Sequence, residues 1–506
     1  MARSRWSRAI GKSDRSKKFQ KASEYYWGEQ YNDLKAWDDP DTTIRMRERA
    51  PSVHVRMNRA AVNTVNAHLF GAGRLPQFKV LTVLDSDGLA VPEELLEDSD
   101  RERLAEINRK IQRIRKKTRI DQHLMELGRN GLLHGSVALA GHISESGRMW
   151  CEVIQVADSK LTLASDDRAR AEELGLEEDD ILELDEYWIS TEFTLDEEVK
   201  YYVNRRTWTP EATTEYLPVE TEDAEGGEAL EEIDWQVDNE KTVNHDNGVT
   251  SAVWVRNIRV AGDKYGAPLV DEPEFKLEDE VNYTLSQSGR ALRYNAEPKM
   301  VMSDVANIQN EEAFLTGSQH TLHLDSYGTP GVPPASAKFL EMSGAGQTVA
   351  FEYIKMLRKL YQSVTSVIEH DPEAAVGALS GIAIERLMMP LVSLVGALRE
   401  NYAASLARWF EIMLELSGEE GFVEVSVVWP RIIEPTNSDL ALIATPLIML
   451  YQADVILLET VVEVLSPLFK IEEIQEYIDK LAAADADGGT STDAAADADD
   501  DDDDGL

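Results

Sequence analysis

The sequence predicts an α+β fold, and three observations support this prediction. Long segments with apolar residues at every third or fourth position, typical of amphipathic helices, occur in the first third and in the second half of the chain. Between them, residues 136–260 contain short runs rich in β-branched and aromatic residues, separated by turn sequences. A hydrophobic fraction of 43% and ten Trp in 506 residues provide enough apolar surface for a substantial core.

In the N-terminal half, a helical stripe over residues 55–70 ends near Gly71, and a longer helical pattern covers residues 99–133. The second pattern carries a dense run of basic residues between positions 109 and 119. Strands are predicted next, two of them flanking the turn Glu145-Ser146-Gly147. The predicted strands cover residues 136–143, 149–154, 182–190, 200–208 and 251–260, and the acidic residues 219–231 are predicted to form a loop.

The C-terminal half is predominantly helical. A helix over residues 275–296 ends before Pro298, because the residue preceding a proline disfavours the α region. Residues 299–345 are polar and rich in Gly and Pro, which favours a small β-containing excursion. The remaining predicted elements are a helix over 347–369, a loop over 370–379, a helix over 380–416 kinked at Pro390, a strand over 422–428 and helices over 439–481.

The helix predicted over residues 347–369 has two distinct faces. Its apolar face contains Val349, Tyr353, Met356, Leu360, Val364 and Val367. Its polar face contains Glu352, Lys355, Lys359, Gln362 and Ser366.

The charge balance is strongly acidic, with 93 Asp and Glu against 51 Lys and Arg and a net charge of -42. Segment 485–506 holds ten Asp and no basic residue, so most of the acidity lies elsewhere; this tail is predicted to be disordered. In molar salt the Debye length falls to about 3 Å, which screens the self-repulsion of such a chain. We therefore expect adaptation to a high-salt cytoplasm, the alternative being an ordinary acidic protein with a charged tail.

Several classes of site are not supported by the sequence. A single cysteine, Cys151, excludes an intramolecular disulfide and CxxC-type zinc sites. No stretch reaches about 18 uninterrupted apolar residues, so no membrane span is predicted. Gly11-Lys12-Ser13 lacks the earlier glycine and the strand of a phosphate-binding loop. His320 with His323, and the acidic run 177–180, are more simply explained as solvated surface than as metal ligands, so no catalytic residue, metal or cofactor is predicted.

The order of elements resembles that of the portal proteins of tailed viruses along nearly the whole chain. Five segments carry the resemblance: Tyr25-Tyr26-Trp27-Gly28 with the later Asn58–Asn63 helix; Gly131–Gly135 leading into the hairpin; Trp254–Asn257 followed by Tyr265-Gly266; Tyr294–Met302, which contains Pro298; and Ser380-Gly381-Ile-Ala383 at the start of the long helix.

The resemblance implies a non-enzymatic ring of about twelve subunits at one capsid vertex. It implies the following regions: a wing (1–270, β-rich over 136–260), a first stem helix (271–297), a clip (298–345), a second stem helix (346–369), a tunnel loop (370–379), a long wing helix (380–421), a crown (422–482) and the acidic tail (483–506). The implied partners are double-stranded DNA in the channel, the terminase large subunit, a head-completion or adaptor protein and the major capsid protein, but no membrane. The ring would be a component of the virion, assembled in the host cytoplasm, and the acidity would suit a virus of a halophilic archaeon.

Within this framework, the polar face of the second stem helix is the candidate channel lining, the alternative being an exterior solvated face. The loop residues Asp371, Glu373 and Gly377 are expected near the DNA. Asp304, Tyr327, Pro330 and Pro333 of the clip are the candidates for partner docking. The basic helical segment could pair with acidic neighbours, contact the capsid or bind DNA directly. Competing functions are a minor head structural protein, a DNA-packaging enzyme and a membrane channel.

Overall fold

The order of helices and strands follows the predicted α+β pattern. The computed structural model describes residues 14–41, 43–81, 98–144, 146–155, 161–193, 199–221, 233–245, 248–296, 299–303, 336–340, 345–367, 381–418, 424–432, 437–453, 457 and 460–462. The chain divides into two units, the first formed by Met1–Glu369 with Pro390–Pro430 and the second by His370–Met389 with Arg431–Leu506.

The helices of the described residues, in chain order, are α1 (Asp14–Trp27), a 3-10 turn (Met46–Glu48), α2 (Met57–Phe70), α3 (Asp98–Thr118), α4 (Ile120–His134), α5 (Arg168–Leu174), α6 (Glu272–Ala296), α7 (Ala345–Thr365), α8 (Gly381–Glu415) and α9 (Asn437–Gln452). Pro390 lies inside α8 and Pro446 inside α9. Helix α9 belongs to the second unit, where Val461 and Val462 are also buried.

The strands are β1 (Gln77–Val80), β2 (Ser136–Ile143), β3 (Met149–Ile154), β4 (Leu161–Leu163), β5 (Ile181–Phe193), β6 (Val199–Trp208), β7 (Ala212–Glu215), β8 (Val219–Thr221), β9 (Val243–Asn244), β10 (Ala252–Arg256), β11 (Ile258–Val260), β12 (Asp263–Ala267), β13 (Lys299–Ser303), β14 (Ser336–Leu340) and β15 (Val425–Val428). All of their pairings are antiparallel.

Two sheets provide the β core of the first unit. One has the order β10-β2-β3, and the other has the order β4-β5-β6-β7-β9, with β8 also paired to β6. Their buried side chains form one apolar cluster: Ala138, Ala140, Ile154, Leu161, Leu163, Ile181, Leu184, Trp208, Ala252 and Trp254. Strands β2 and β10 are buried on both faces over most of their length, which fits their nearly continuous runs of apolar residues.

The C-terminal part of α8 is the central helix of the first unit. Its apolar residues recur at spacings of three and four and are buried: Leu391, Val395, Leu398, Tyr402, Leu406, Trp409, Phe410 and Met413. The Phe410 ring lies 4.2 Å from that of Phe78 on β1. Close approach to α4 requires a glycine, because a Cβ on Gly131 would lie 2.0 Å from the Tyr402 hydroxyl.

Several sequence predictions need correction. The single helix expected over 99–133 is two helices, α3 and α4, because Arg119 adopts a left-handed conformation with φ 53°. The acidic segment 219–231 was expected to be a loop throughout, but its first three residues form β8, which pairs with β6. The hairpin strands over 136–143 and 149–154 are confirmed, as is a β element within 299–345, where β13 pairs with β14.

The acidic run 177–180 is also more structured than expected. Asp180 is buried, and both of its carboxylate oxygens accept hydrogen bonds from Arg408 of α8, at 2.9 and 2.8 Å. Asp179 forms ion pairs with Arg256 and Arg259. Asp180 therefore holds elements of the first unit together, and the prediction of a solvated run was wrong for it, whereas Asp179 is exposed, as predicted.

Candidate functional site

Helices α6 and α7 pack against each other and are connected through the β13–β14 ladder. With 25 and 21 residues, they extend over about 37 and 31 Å, respectively. This pair corresponds to the two helices that the sequence predicted over 275–296 and 347–369. The second is shorter than predicted, because Ser366 has φ 56° and the helix ends at Thr365.

Helix α7 presents three faces rather than two. At about 100° of rotation per residue, the buried residues Ile354, Leu357 and Tyr361 form one face, directed toward the rest of the subunit. A second face, about 100° away, is apolar but lies on the surface, and it is called the apolar stripe below. Its residues are Val349, Tyr353, Met356, Leu360 and Val364, which are between 38% and 69% exposed.

The apolar stripe contains five of the six residues that formed the predicted apolar face. Within the subunit, the neighbouring face formed by Ile354, Leu357 and Tyr361 is buried in place of the apolar stripe. Only Val367 of the predicted face is buried, and it lies beyond the end of the helix. A helix with two apolar faces needs two partners, and the subunit supplies one of them.

The third face of α7 carries the predicted channel residues. Glu352, Lys355 and Lys359 are exposed, and Lys355 pairs with Glu352 at 3.0 Å. Gln362 is half-buried and lines a cavity of about 20 Å³ against α2. Ser366 does not belong to this face, because it follows the left-handed end of the helix. The predicted loop residues Asp371, Glu373 and Gly377 lie outside the described residues.

A buried polar stripe runs along α6, and the sequence analysis missed it. Glu274, Glu278, Asn282 and Ser286, spaced by four, lie on one face and are almost fully buried. Backbone N–H groups of the segment that leads into α2, and of the first turn of α2, donate to this stripe. Val53 donates to Ser286 Oγ at 3.0 Å, Val55 to Asn282 Oδ1 at 2.7 Å and Asn58 to Glu278 Oε2 at 2.7 Å.

Asp279, the next residue on α6, binds two tyrosines. The hydroxyls of Tyr25 and Tyr31 donate to its two carboxylate oxygens at 2.7 and 2.5 Å. Burial, and then the hydrogen bond to Asp279, raise the pKa of both phenols above the usual range. Both hydroxyls therefore remain protonated donors, and they attach α1 and the turn after it to α6.

Glu278 is buried and has no cationic partner among the described residues. Its described hydrogen-bond donors are the Asn58 backbone N–H and the Gln30 side-chain amide, at 2.7 and 3.2 Å. Burial raises the pKa of this carboxyl group to about 8, with a further contribution from the nearby Asp279 carboxylate and an opposing one from the backbone hydrogen bonds. The network also reaches α7, because the Tyr361 hydroxyl donates to Asn58 Oδ1 at 2.8 Å. The N-terminal segment is thus hydrogen-bonded to both long helices.

This network could not be identified from the sequence. The spacing of four between its polar residues is visible, but the same pattern usually marks a solvated helix face. The stripe is buried rather than solvated because residues 53–58 lie across this face of α6, which the sequence pattern does not indicate.

Of the predicted family-motif positions, Gly266 is described and has φ 71°. A Cβ on Gly266 would lie 2.8 Å from the Ile258 carbonyl and 2.9 Å from the Gly135 carbonyl, so the backbone requires glycine there. Gly381 and Ala383 lie in the first turn of α8. Ser380, Pro298 and the predicted docking residues Asp304, Tyr327, Pro330 and Pro333 lie outside the described residues.

The part of the chain that the structure describes lacks two kinds of site. It contains no group of three or more His, Cys, Asp or Glu residues that could hold a metal ion. None of its helices combines the length and apolarity needed to cross a membrane.

Comparison with known proteins addresses the chain as a whole. The family model described as phage portal protein, SPP1 Gp6-like, matches residues 10–487. No curated protein matches the chain. The portal family is structural rather than enzymatic, its members belong to the virion capsid, and the family implies an oligomeric ring that interacts with capsid and terminase. Because the match covers nearly the whole sequence, the chain belongs to the SPP1 Gp6-like family of phage portal proteins.

Proposed function

We propose that this chain forms a ring of about twelve subunits at one capsid vertex, through which double-stranded DNA enters and leaves the capsid. The observation that carries the ring is the second apolar face of α7. Five large apolar side chains lie exposed along about four turns of one helix, a contiguous patch of the kind that marks an interaction surface.

A neighbouring subunit is the partner that best fits the apolar stripe. The contact would be heterologous, since the stripe of one copy would meet a different surface of the next, and contacts of this type close into rings. Burying these five half-exposed side chains contributes on the order of 5 kcal/mol per interface before the cost of association. Repeated around a closed ring, such a contact would stabilise the assembly.

The orientation of α7 then suggests which residues line the channel. One face of the helix is covered by its own subunit and a second would be covered by the neighbour. The remaining face carries the exposed residues Glu352, Lys355 and Lys359, and we propose that it faces the channel, with Gln362 at its edge beside α2. An acidic surface near the DNA would keep friction low by avoiding the release of counterions from the phosphates. In this chain that acidity would come from the loop residues Asp371 and Glu373.

The remaining assignments follow the family pattern. We propose that the clip (298–345) docks the terminase large subunit during packaging and a head-completion or adaptor protein afterwards, through the neighbourhood of Asp304, Tyr327, Pro330 and Pro333. The wing would contact the major capsid protein, and assembly would take place in the host cytoplasm. The net charge of -42 supports a host with a high-salt cytoplasm, such as a halophilic archaeon.

The ring can be tested by electron microscopy with a parallel mass measurement on protein purified in molar salt. The double variant Met356→Glu/Leu360→Glu places two charges in the apolar stripe and should prevent ring formation. Lys355→Glu/Lys359→Glu introduces the same residue twice on the polar face and should leave the rings intact. Circular dichroism would check that both variants fold.

A wild-type chain that forms rings regardless of the stripe substitutions would refute the proposed interface. A chain that stays monomeric in molar salt, and also in the presence of its capsid protein, would favour a minor head protein over a channel.

A further inference from the structure

The C-terminal half of α3 and the tip of the β2–β3 hairpin form one exposed basic surface. Six cations lie on it, and it is called the basic patch below. Its members are Arg109, Arg113, Lys116, Lys117 and Arg119 from the first segment and Arg148 from the hairpin. Trp150 of β3 is exposed beside them.

Direct contacts hold the two segments of the patch together. Lys117 Nζ donates to the carbonyl oxygen of Gly147 at the hairpin tip, at 3.2 Å. Four residues further along the hairpin, Cys151 Sγ donates to the Thr118 carbonyl oxygen at 3.5 Å. The two segments are therefore held in fixed positions relative to each other, and the patch is a defined surface of the first unit.

The charges of the patch are not neutralised locally. Residues 107–120 contain seven basic residues and no acid, in a chain where acids outnumber bases by 93 to 51. Two of the seven pair with carboxylates, Arg115 with Asp121 at 3.0 Å and Lys110 with Glu106 at 4.0 Å. Within the described part of the chain, the six residues of the basic patch form no ion pair.

The helix dipole explains only part of this arrangement. Cations in the last turn of a helix are stabilised by its negative end, which accounts for Lys116 and Lys117. The effect is confined to that turn, so it does not account for Arg109 and Arg113. It also does not explain Arg148, which belongs to a different element.

The composition of the patch matches the chemistry of a phosphodiester backbone. Four of its six cations are Arg, whose planar guanidinium can bind a phosphate through two parallel hydrogen bonds. From Arg109 to Arg119 the cations extend over about 15 Å, enough to contact several phosphates. The Trp150 indole is 41% exposed and stacks on the His142 ring, with 4.9 Å between ring centroids and an interplanar angle of 11°. This stacking fixes the orientation of the indole, on which a base could stack.

We propose that the basic patch binds the phosphodiester backbone of nucleic acid without sequence preference, with Trp150 available to stack on an unpaired base. This binding would occur on the wing, on elements other than α6 and α7, so it does not depend on the channel assigned above. Local attraction of this kind can operate although the chain as a whole is acidic, because screening limits the reach of distant charges.

The test measures binding of the full-length protein to fluorescent 30-nucleotide DNA, single-stranded and duplex, by anisotropy from 50 to 300 mM KCl. Arg113→Glu/Lys116→Glu/Lys117→Glu should weaken binding of both probes at least tenfold. Removal of three phosphate contacts should reduce the magnitude of the slope of log K against log salt by about 2.7 for the duplex and about 2.1 for the single strand. Trp150→Ala should weaken binding of the single strand and leave duplex binding unchanged.

The matched control is Lys17→Glu/Lys18→Glu/Lys35→Glu, which changes the net charge equally on exposed lysines outside the patch. It should bind as the wild type does. Equal losses in the two triple variants would show that total charge governs binding, and would overturn the proposal. The proposal would also be overturned if the wild type bound neither probe. It would be overturned as well if polyglutamate displaced DNA from the wild type at equal charge concentration, since the patch would then be a general polyanion surface.

Discussion

The buried carboxyl group of Glu278 leads to a prediction about pH. Its pKa in the folded protein is about 8, whereas an unfolded glutamate titrates near 4.5. Between these values the folded state retains a proton that the unfolded state has released. The contribution of Glu278 to stability is therefore complete below pH 4.5 and is lost as the pH rises through 8. The slope is about 1.4 kcal/mol per pH unit, so the whole change is on the order of 5 kcal/mol.

Glu278→Gln removes the titrating group and keeps the side-chain shape. The new amide can accept the Asn58 N–H through its oxygen. Its nitrogen can donate to Gln30 after that side chain flips, because Gln30 Oε1 is buried and makes no hydrogen bond in the described structure. The variant should therefore be at most about 1 kcal/mol less stable than the wild type at pH 5 and several kcal/mol more stable at pH 9.

Hydrogen exchange measured by mass spectrometry is the appropriate assay, because a chain of this size need not unfold in one step. The amides of residues 53–58 report on the network directly, and each variant is compared with the wild type at the same pH. Glu280→Gln is the control, since Glu280 lies two residues further along α6 and its ion pair with Arg47 is exposed. Identical pH dependence of protection in the wild type and in Glu278→Gln would refute the reasoning.

Three further predictions concern the first unit. Gly131→Ala should destabilise the protein by about 1–3 kcal/mol in thermal unfolding, because the new methyl group clashes with the Tyr402 hydroxyl. Adding Tyr402→Phe should recover most of that loss, and failure of this rescue would refute the clash. Arg408→Ala should lower the opening free energy of the amides around Asp180 by about 3–5 kcal/mol in hydrogen exchange, because it leaves the buried Asp180 carboxylate unpaired. A loss under about 1 kcal/mol would contradict that burial. Burial raises the pKa of the Cys151 thiol to about 12, so maleimide should label this thiol slowly in the folded protein and rapidly in urea. Fast labelling without denaturant would disprove the burial of Cys151.

Local patterns predicted much of the secondary structure. Two strand-like runs on either side of a Gly-containing turn located the β2–β3 hairpin, and helical periodicity located α6 and α8. The break between α3 and α4 could not be predicted, since Arg119 is neither Gly nor Pro and only tertiary packing stabilises its left-handed conformation.

The faces of α7 show a second limit of sequence analysis. Periodicity identified the stripe that contains Met356 and Leu360, but Ile354, Leu357 and Tyr361 form an equally apolar stripe on the same helix. A single sequence does not indicate which of two such stripes faces its own subunit. The buried polar stripe of α6 was even harder to predict, because the burial of Glu278 depends on hydrogen-bond donors more than 200 positions away along the chain.

The ladder between β13 and β14 has a consequence for how the protein can change over evolution. Five residue pairs fix the point where the chain leaves α6 beside the point where it returns to α7. Residues 304–335 between these strands can therefore lengthen or diverge while the anchoring ends stay in place. Doubling the length of such a segment costs only about 0.6 kcal/mol in closure entropy. A lineage could exchange this segment as a cassette and acquire a new docking partner while the paired helices remain unchanged.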